Sequence, residues 1–586
     1  MKINNIFTSN IYELKNKQQK QFVNFSNSPQ LSKYREKTHL SPYNNSYEVA
    51  FWGKTNYSEN EMSFRNLRRK IANKTHKVIR ENSLAEWNYY VDSSRENEQK
   101  LSDAFNKYMT VVSDKDDFEA LKSIKEKGIT DPKLAKSLEE LLQDYTENIP
   151  HKAEIKALEA QENAVMAIVS NYRGTLDGKD YSNGDLDDIL LKETNPEIRR
   201  KAYNARKANS GDLIAPELVK LVKSRNKFAK NIGYSDYFSY MTERGFKTSE
   251  KELFALLAEM EEKSSVLYEK ISGKTAEELS KIFGVAQNDL KPWHYGLEIA
   301  DSPIIEADKY FKNNDDITRI AFDLYKKMGW DIKSMPITLD LLPRAGKNQH
   351  CFCFGIDANK DTRVLANLRP DLYSEETLMH ELGHGVYSIG LSSHLPFFKQ
   401  GVASSALTEA IAMMNEALPV KEGSYIELLG MPKELSERLE VNRLKKSISF
   451  IRKCLQLITF EKQMYVNPNQ DLSKLWYDLE HKYMNRAIPK HLDNRWASEK
   501  IHFVSHPAYY QNYFEAEIMA AHIYEAATKK LGPLTENQKT AEFFRAKVFR
   551  FGKSLNATEI IKHLSGKDLS VAAYCEQFGT LFQKML

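Results

Sequence analysis

The chain has 586 residues, with 84 Lys and Arg against 80 Asp and Glu, and a formal net charge of +4. This near balance gives no reason to expect nucleic acid or an anionic membrane as a partner. Hydrophobic residues make up 41 % of the sequence, enough for a large core. No apolar run approaches the roughly 20 residues that a membrane-spanning helix needs, so no membrane span is expected.

Residues 1–60 are rich in Asn, Ser, Lys and Gln and lack sustained apolar periodicity. They are predicted to form a flexible or loosely packed leader. The leader has no apolar core segment typical of a secretory signal, which favours a cytoplasmic protein. The cysteines are too few for a disulfide framework in a chain of this length, and free thiols are expected at Cys351, Cys353, Cys454 and Cys575.

From about residue 61 the sequence changes to long stretches with apolar residues three and four positions apart, as in "ELFALLAEMEEKSSVLYEKI". This spacing is typical of amphipathic helices and predicts a mainly α-helical protein. The stretches "HCFCFGID" and "DTRVLANLRP" differ, and predict a β-hairpin. A helix is expected next, with Ser374 as its N-cap and Glu375 and Glu376 in its first turn.

That helix carries "LMHELGHGVY", residues 378–387. His380 and His384 are four positions apart, so on a helix both rings can face one metal ion. Glu381 can act as a general base on a water molecule at that metal. A catalytic zinc ion needs a third protein ligand, and Glu409 in "SSALTEAIAMMNEAL" can supply it.

Alternative interpretations of these residues stay open at this point. The H-E-x-x-H pattern also occurs by chance, and alone it is about as often an ordinary helix as a metal site. Glu409 alone would be a solvated helix carboxylate. Two glycines, Gly383 and Gly385, favour a metal site. Glycine costs about 1 kcal/mol in a helix interior, and the close approach of another element to the helix would explain why glycine is present there.

At this point the sequence resembles a known family, the zinc peptidases related to angiotensin-converting enzyme (peptidyl-dipeptidase A), in their bacterial form. The resemblance rests on "HELGH" followed by "TEAIAMM", and extends to "SLAEWNYYVDSSRENEQKL", "RNKFAKNIGYSDYFSY" and "KIHFVSHPAYYQNYF". It covers about residues 61–586 and leaves out the leader. It implies one catalytic domain over residues 61–586, built as two helical lobes around a deep central channel, with the small β element beside the zinc helix.

The resemblance also implies roles for individual residues. One zinc ion per chain would be held by His380, His384 and Glu409 in the gluzincin manner, with Glu381 as base. Tyr513 would stabilise the oxyanion. The remaining matched residues would hold the peptide substrate: His350 and His502 on backbone carbonyls, and Lys500 with Tyr510 on the C-terminal carboxylate. The match needs one extra residue between His502 and Tyr510, so Tyr509 is an alternative to Tyr510. Without the resemblance, the tyrosines would be interpreted as packing aromatics.

The sequence also departs from the animal enzyme's pattern. Where that pattern has chloride-binding arginines, this chain has Thr242, Glu480 and Asn512, so chloride is not expected as a cofactor. Where the family often has an aspartate one turn after the third ligand, this chain has Met413. The residues that orient the ligating histidines are therefore not identified by the sequence.

The sequence thus predicts a zinc metalloprotease that hydrolyses oligopeptides and is a monomer. It is expected to act as a carboxypeptidase that releases dipeptides from the C-terminus of its substrates. One alternative is a thimet-type oligopeptidase that cuts inside short peptides. Another is a catalytically silent binding protein on the same fold, against which the complete set of His380, Glu381, His384 and Glu409 argues.

Overall fold

The computed structural model describes residues 57–297, 302–348 and 351–579. Helices dominate these residues, and the predicted mainly α-helical fold is confirmed. The helices of the first half of the chain are α1 (Glu59–Val91), α2 (Arg95–Val112), α3 (Lys115–Lys127), α4 (Pro132–Asn148), α5 (Lys152–Asn171), α6 (Asn183–Lys192), α7 (Pro196–Tyr203), α8 (Asn209–Asn231), α9 (Tyr237–Ser239), α10 (Glu250–Phe283) and α11 (Pro303–Asp308). Two π-helical segments, Asn204–Ala208 and Tyr240–Gly245, flank α8 and α9.

The second half contains the helices that carry the predicted site residues. They are α12 (Asn314–Lys327), α13 (Leu372–Gly390), α14 (Ser405–Lys421), α15 (Ser424–Leu429), α16 (Lys433–Val466), α17 (Leu472–Met484), α18 (Trp496–Glu499), α19 (His502–Ser505), α20 (Tyr510–Leu531), α21 (Thr540–Lys547), α22 (Ala557–Ser565) and α23 (Ala572–Glu576). Two long helices, α16 and α20, contribute to both of the large hydrophobic cores.

The two large hydrophobic cores are built largely from different helices. One core is built mainly from α8, α10, the C-terminal part of α16, and α17. The other is built from α12, α13, α14 and the segments that follow α20. Phe514 and Ile518 of α20 face the first core, whereas Met519 and Ile523 face the second. The helix therefore lies between the two cores, and a cavity of about 390 Å³ opens beside it.

Two small sheets complete the described fold. Strands β1 (Gly174–Leu176) and β2 (Lys179–Tyr181) form an antiparallel hairpin. The other sheet has β3 (Ile337–Asp340), β4 (Phe352–Asp357) and β5 (Asp361–Leu365) in the order β3-β5-β4. Its antiparallel β4–β5 pair is the hairpin that the sequence predicted. The four-residue strand β3, parallel to β5, is too short to give a clear alternating pattern and was missed.

The start of α13 differs from the prediction. The N-cap is Asp371, whose side chain accepts the backbone N–H of Ser374 at 2.8 Å. Ser374 lies inside the first turn, where its hydroxyl accepts the N–H of Arg369. The prediction of Ser374 as N-cap was therefore wrong, because an aspartate three positions earlier caps the helix equally well and the chain turns sooner.

The predicted division of the chain at residue 60 stays a prediction. Residues 1–56 lie outside the described part of the chain. Helix α1 begins at Glu59, where Ser58 and Glu61 form a reciprocal capping box. The helix thus starts within two residues of the point where the apolar periodicity begins in the sequence.

Candidate active site

Helices α13 and α14 bring the predicted metal ligands together. The Nε2 atoms of His380 and His384 lie 3.5 and 3.8 Å from an Oε atom of Glu409. Ligand atoms of the three residues all lie within 4.8 Å of one another. Donors about 2.0–2.2 Å from one tetrahedral zinc ion are separated by roughly 3.4 Å, so two imidazoles and this carboxylate form a donor set of the right type and spacing.

Close packing of the two helices sets this geometry. A Cβ atom placed on Gly383 of α13 would lie 2.8 Å from the Cα of Ala412 in α14, closer than real side chains approach. Gly385 is less restricted, because its Cβ would meet only the end of the Ile337 side chain at 3.4 Å. Of the two glycines, only Gly383 is therefore approached closely by the backbone of another helix, as the sequence predicted.

Two residues that the sequence did not identify orient the histidines. The Nδ1 of His380 lies 2.8 Å from Oε2 of Glu416, and the Nδ1 of His384 lies 2.9 Å from the hydroxyl of Thr408. Such partners fix the orientation of a ligating ring and leave its Nε2 free for the metal. Glu416 is seven residues, or two turns, after Glu409 on α14. This spacing places both carboxylates on the same face of the helix, and it is the sequence signal that could have identified Glu416.

The charges of the cluster depend on these contacts. Burial opposes ionisation of Glu409, but the hydrogen bond to His380 and the nearby His384 hold the pKa of its carboxyl below the ordinary value. Burial lowers the pKa of His384 to about 4. A neutral His384 and an ionised Glu409 are the forms that bind a metal cation.

Glu381 follows the first ligand and is 7 % exposed. Burial raises the pKa of its carboxyl to about 7, and the carboxylate of Glu409 adds to the rise. A carboxyl group with a pKa near neutrality can both take up and release a proton, which a general acid–base residue must do.

Tyrosines of α20 and the turn before it cover the other side of the cluster. The hydroxyl of Tyr509 donates to Oε1 of Glu409 at 3.3 Å. Tyr513 packs against Tyr509 with 5.2 Å between ring centroids, and lines the same cavity as His380 and Glu409. Burial and the charges of Glu409 and Glu381 raise the pKa of Tyr513, so its phenol stays protonated as a hydrogen-bond donor.

The segment from Lys500 to Tyr510 is short and irregular, and residues from distant helices hold it. Arg225 of α8 is buried and donates to the carbonyl oxygens of Phe503, at 2.9 Å, and Val504. Glu461 of α16 accepts the backbone N–H of Ala508 at 2.8 Å. Ala508 has a φ of 59°, the left-handed region that non-glycine residues rarely adopt.

The neighbours of the two candidate tyrosines differ. Tyr510 interacts electrostatically with Glu499 and Cys454, and Lys500 acts on the same two residues. Tyr509 instead contacts the metal ligand Glu409. Tyr510 therefore shares two electrostatic neighbours with Lys500, whereas Tyr509 contacts the metal cluster.

The remaining predicted substrate residues are partly accounted for. The His502 ring lies 5.0 Å from that of Tyr510 and 6.2 Å from that of Tyr513, so the structure brings these three together. His350 lies outside the described residues, and its predicted role stays a prediction. The four cysteines are free thiols, and none belongs to the metal cluster formed within the described residues.

Comparison with known families agrees with this site. Residues 330–580, which contain all three metal ligands, match the model of peptidase family M3. Residues 58–292 match the model of the angiotensin-converting enzyme family. Both are gluzincin metallopeptidase families, so the protein is a zinc metallopeptidase that acts on peptides. The resemblance to angiotensin-converting enzyme that the sequence predicted is confirmed, with the match to that family's model over residues 58–292.

An α-helix that crosses a bilayer must be both long and apolar. Within residues 57–297, 302–348 and 351–579, no helix combines the length and the apolar character that crossing a bilayer requires.

Proposed function

We propose that the protein releases dipeptides from the C-terminus of oligopeptides. The observation that carries the proposal is that Lys500 and Tyr510 share two electrostatic neighbours, Glu499 and Cys454. A cation and a phenol at one place suit a free carboxylate, because charge-assisted hydrogen bonds to it are stronger than neutral ones. Ring contacts from Tyr510 to Tyr513 and from Tyr513 to Tyr509 connect this place to the metal ligands.

The residues of the chain have distinct roles in this reaction. When bound, zinc acts as a Lewis acid toward the scissile carbonyl and the attacking water. Glu381 accepts a proton from that water on its carboxylate and passes it to the leaving amine nitrogen. The hydroxyl of Tyr513 donates to the carbonyl oxygen as negative charge develops there.

Binding residues set which bond is cut. Lys500 and Tyr510 hold the substrate's C-terminal carboxylate, and His502 donates to a backbone carbonyl between that end and the scissile bond. This arrangement fixes the distance between the substrate's end and the metal. An oligopeptidase that cuts inside short peptides is the alternative, and it would use the same metal ligands without needing Lys500.

One assay separates these reactions. An oligopeptide is digested with a free and with an amidated C-terminus, and the products are followed by mass spectrometry with and without a chelator. We expect successive dipeptides from the free acid and at least tenfold slower cutting of the amide, because the amide carries no charge for Lys500. Equal cutting of both at internal bonds overturns the proposal.

A matched pair of variants tests the residue that carries it. Lys500→Met should bring the rate on the free acid down toward that on the amide. Lys490→Met, a change of an exposed lysine ten residues earlier, is the control and should preserve the difference. Purified protein without stoichiometric zinc would instead support a binding protein that performs no catalysis.

A further inference from the structure

Cationic side chains surround one carboxylate next to Lys500. The Nζ of Lys207 lies 3.1 Å from Oε2 of Glu499, and the Nζ of Lys453 lies 3.4 Å from its Oε1. Lys500 and Arg495 also act on Glu499, and together these cations hold the pKa of its carboxyl well below the ordinary value despite its burial. We call Lys207, Lys453, Glu499 and Lys500 the lysine cluster.

The lysine cluster has more positive than negative charge. The carboxylates of its surroundings are already engaged: Glu480 pairs with Arg495 and Arg486, and Asp493 accepts from Tyr477 and the backbone of Arg495. Within the described part of the chain, the three lysines of the cluster thus face one carboxylate, that of Glu499. The two arginines lie beside Glu480 and Asp493, and Asp212 acts on Asp493 as a further carboxylate.

Two positive charges therefore remain when Lys453 is protonated, and the C-terminal carboxylate of a substrate balances one of them. We propose that the second charge binds another carboxylate, the side chain of the substrate's last residue, and that the protein prefers oligopeptides ending in Glu or Asp. Lys207 and Lys453 are the specificity-determining residues. The inference rests on the proposed function, because it needs the substrate's C-terminus at Lys500 and Tyr510.

The lysine cluster remains accessible to a ligand. The side chains of Lys207 and Lys453 are each 17 % exposed and that of Glu499 is 19 % exposed, so none is sealed in the core. The Nζ of Lys453 lies 4.7 Å from the centroid of the Trp476 ring, which covers one side of the ammonium group. A carboxylate can thus approach from the accessible side.

The setting of Lys453 also favours an incoming anion. Burial lowers the pKa of its ammonium group to about 7; Glu499 opposes this fall, whereas Arg486, Arg495 and Lys500 add to it. Like charges crowded in a partly buried place are costly, and an additional carboxylate relieves that cost. A substrate ending in a neutral residue of the same shape offers no such relief.

The test uses two oligopeptides that are identical except for a last residue of Glu or Gln, each as free acid and as C-terminal amide. We expect kcat/KM for the Glu-terminated acid to exceed that for the Gln-terminated acid about tenfold, because the two differ by one charged contact. Lys453→Met and Lys207→Met should each lower this ratio toward one. Lys474→Met, which changes an exposed lysine paired with Asp478 on α17, should leave the ratio unchanged.

The outcomes separate this inference from the proposed function. Dipeptide release with a Glu/Gln ratio near or below one in the unaltered protein overturns the inference alone. Equal cutting of acid and amide overturns the proposed function, and the inference with it. If Lys453→Met fails to fold, Lys207→Met and the unaltered protein still test the inference. A Glu/Gln ratio that Lys207→Met does not lower contradicts the assignment of Lys207 as a specificity-determining residue.

Discussion

The metal cluster and the substrate segment from Lys500 to Tyr510 are built in opposite ways. The metal ligands lie on two long helices, α13 and α14, that touch at Gly383 and Ala412. The substrate segment contains one four-residue helix, α19, and Ala508 in a left-handed conformation. Its geometry depends on side chains from α8 and α16 as well as on its own hydrogen bonds, such as that from the N–H of His506 to the carbonyl oxygen of His502.

This difference separates the chemistry, which the metal cluster performs, from the selection of the substrate, which the segment from Lys500 to Tyr510 performs. Helices fix the positions of the ligands to within the tolerance that zinc requires. A short irregular segment can change its side chains without disturbing those helices. We therefore expect changes in the metal cluster to abolish the reaction, and changes in the substrate segment to alter which peptides are cut.

The largest effect is expected at Glu381. Glu381→Gln keeps the shape of the side chain and removes its ability to accept a proton. The rate constant kcat should fall about 10²–10⁴-fold, the usual contribution of a general base, while bound zinc stays stoichiometric. Steady-state kinetics and elemental analysis of the purified variant measure the two quantities.

Survival of activity in Glu381→Gln would show that another group is the base. Loss of zinc would show instead that Glu381 supports the metal cluster. His384→Gln, which removes a ligand, is the matched control: it should lose activity and zinc together, because three protein ligands hold the ion.

A smaller effect is expected where a residue orients a ligand. Glu416→Gln removes the charge that contacts Nδ1 of His380 and should weaken zinc binding about 10–100-fold. Thr408→Val, which removes the neutral partner of His384, should weaken it less. Competition with a chelator measures both affinities, and equal affinity of Glu416→Gln and the unaltered protein would show that Glu416 has no such role.

Prediction from the sequence succeeded where the interaction is local. His380 and His384 are one helical turn apart, so their common face follows from periodicity. Neither Asp371 as the N-cap of α13 nor Glu416 as the partner of His380 was identified, because several nearby residues could fill each role. Arg225 and Glu461 could not be predicted at all, since their partners are far away in sequence and only the packed structure brings them together.

The contact between α13 and α14 gives a prediction of stability. Gly383→Ala would place a Cβ atom 2.8 Å from the Cα of Ala412 and force the helices apart. Overpacking of this kind costs about 1–3 kcal/mol of the free energy of unfolding. Gly385→Ala is the control, because its Cβ meets only a flexible side-chain end and alanine favours the helix. Thermal unfolding of both variants measures the difference, and equal melting temperatures would contradict close packing at Gly383.

The smallest effect is expected in the substrate segment. Glycine adopts the φ of 59° found at Ala508 more easily than alanine does, but it also loses more conformational entropy on folding. Ala508→Gly should therefore change the free energy of unfolding by less than about 1 kcal/mol, and zinc affinity should not change. KM for an oligopeptide should rise, because the segment that holds the substrate becomes more mobile while the metal helices do not. A change in zinc affinity would mean that the two regions are mechanically coupled, and the separation of chemistry from selection would then be wrong.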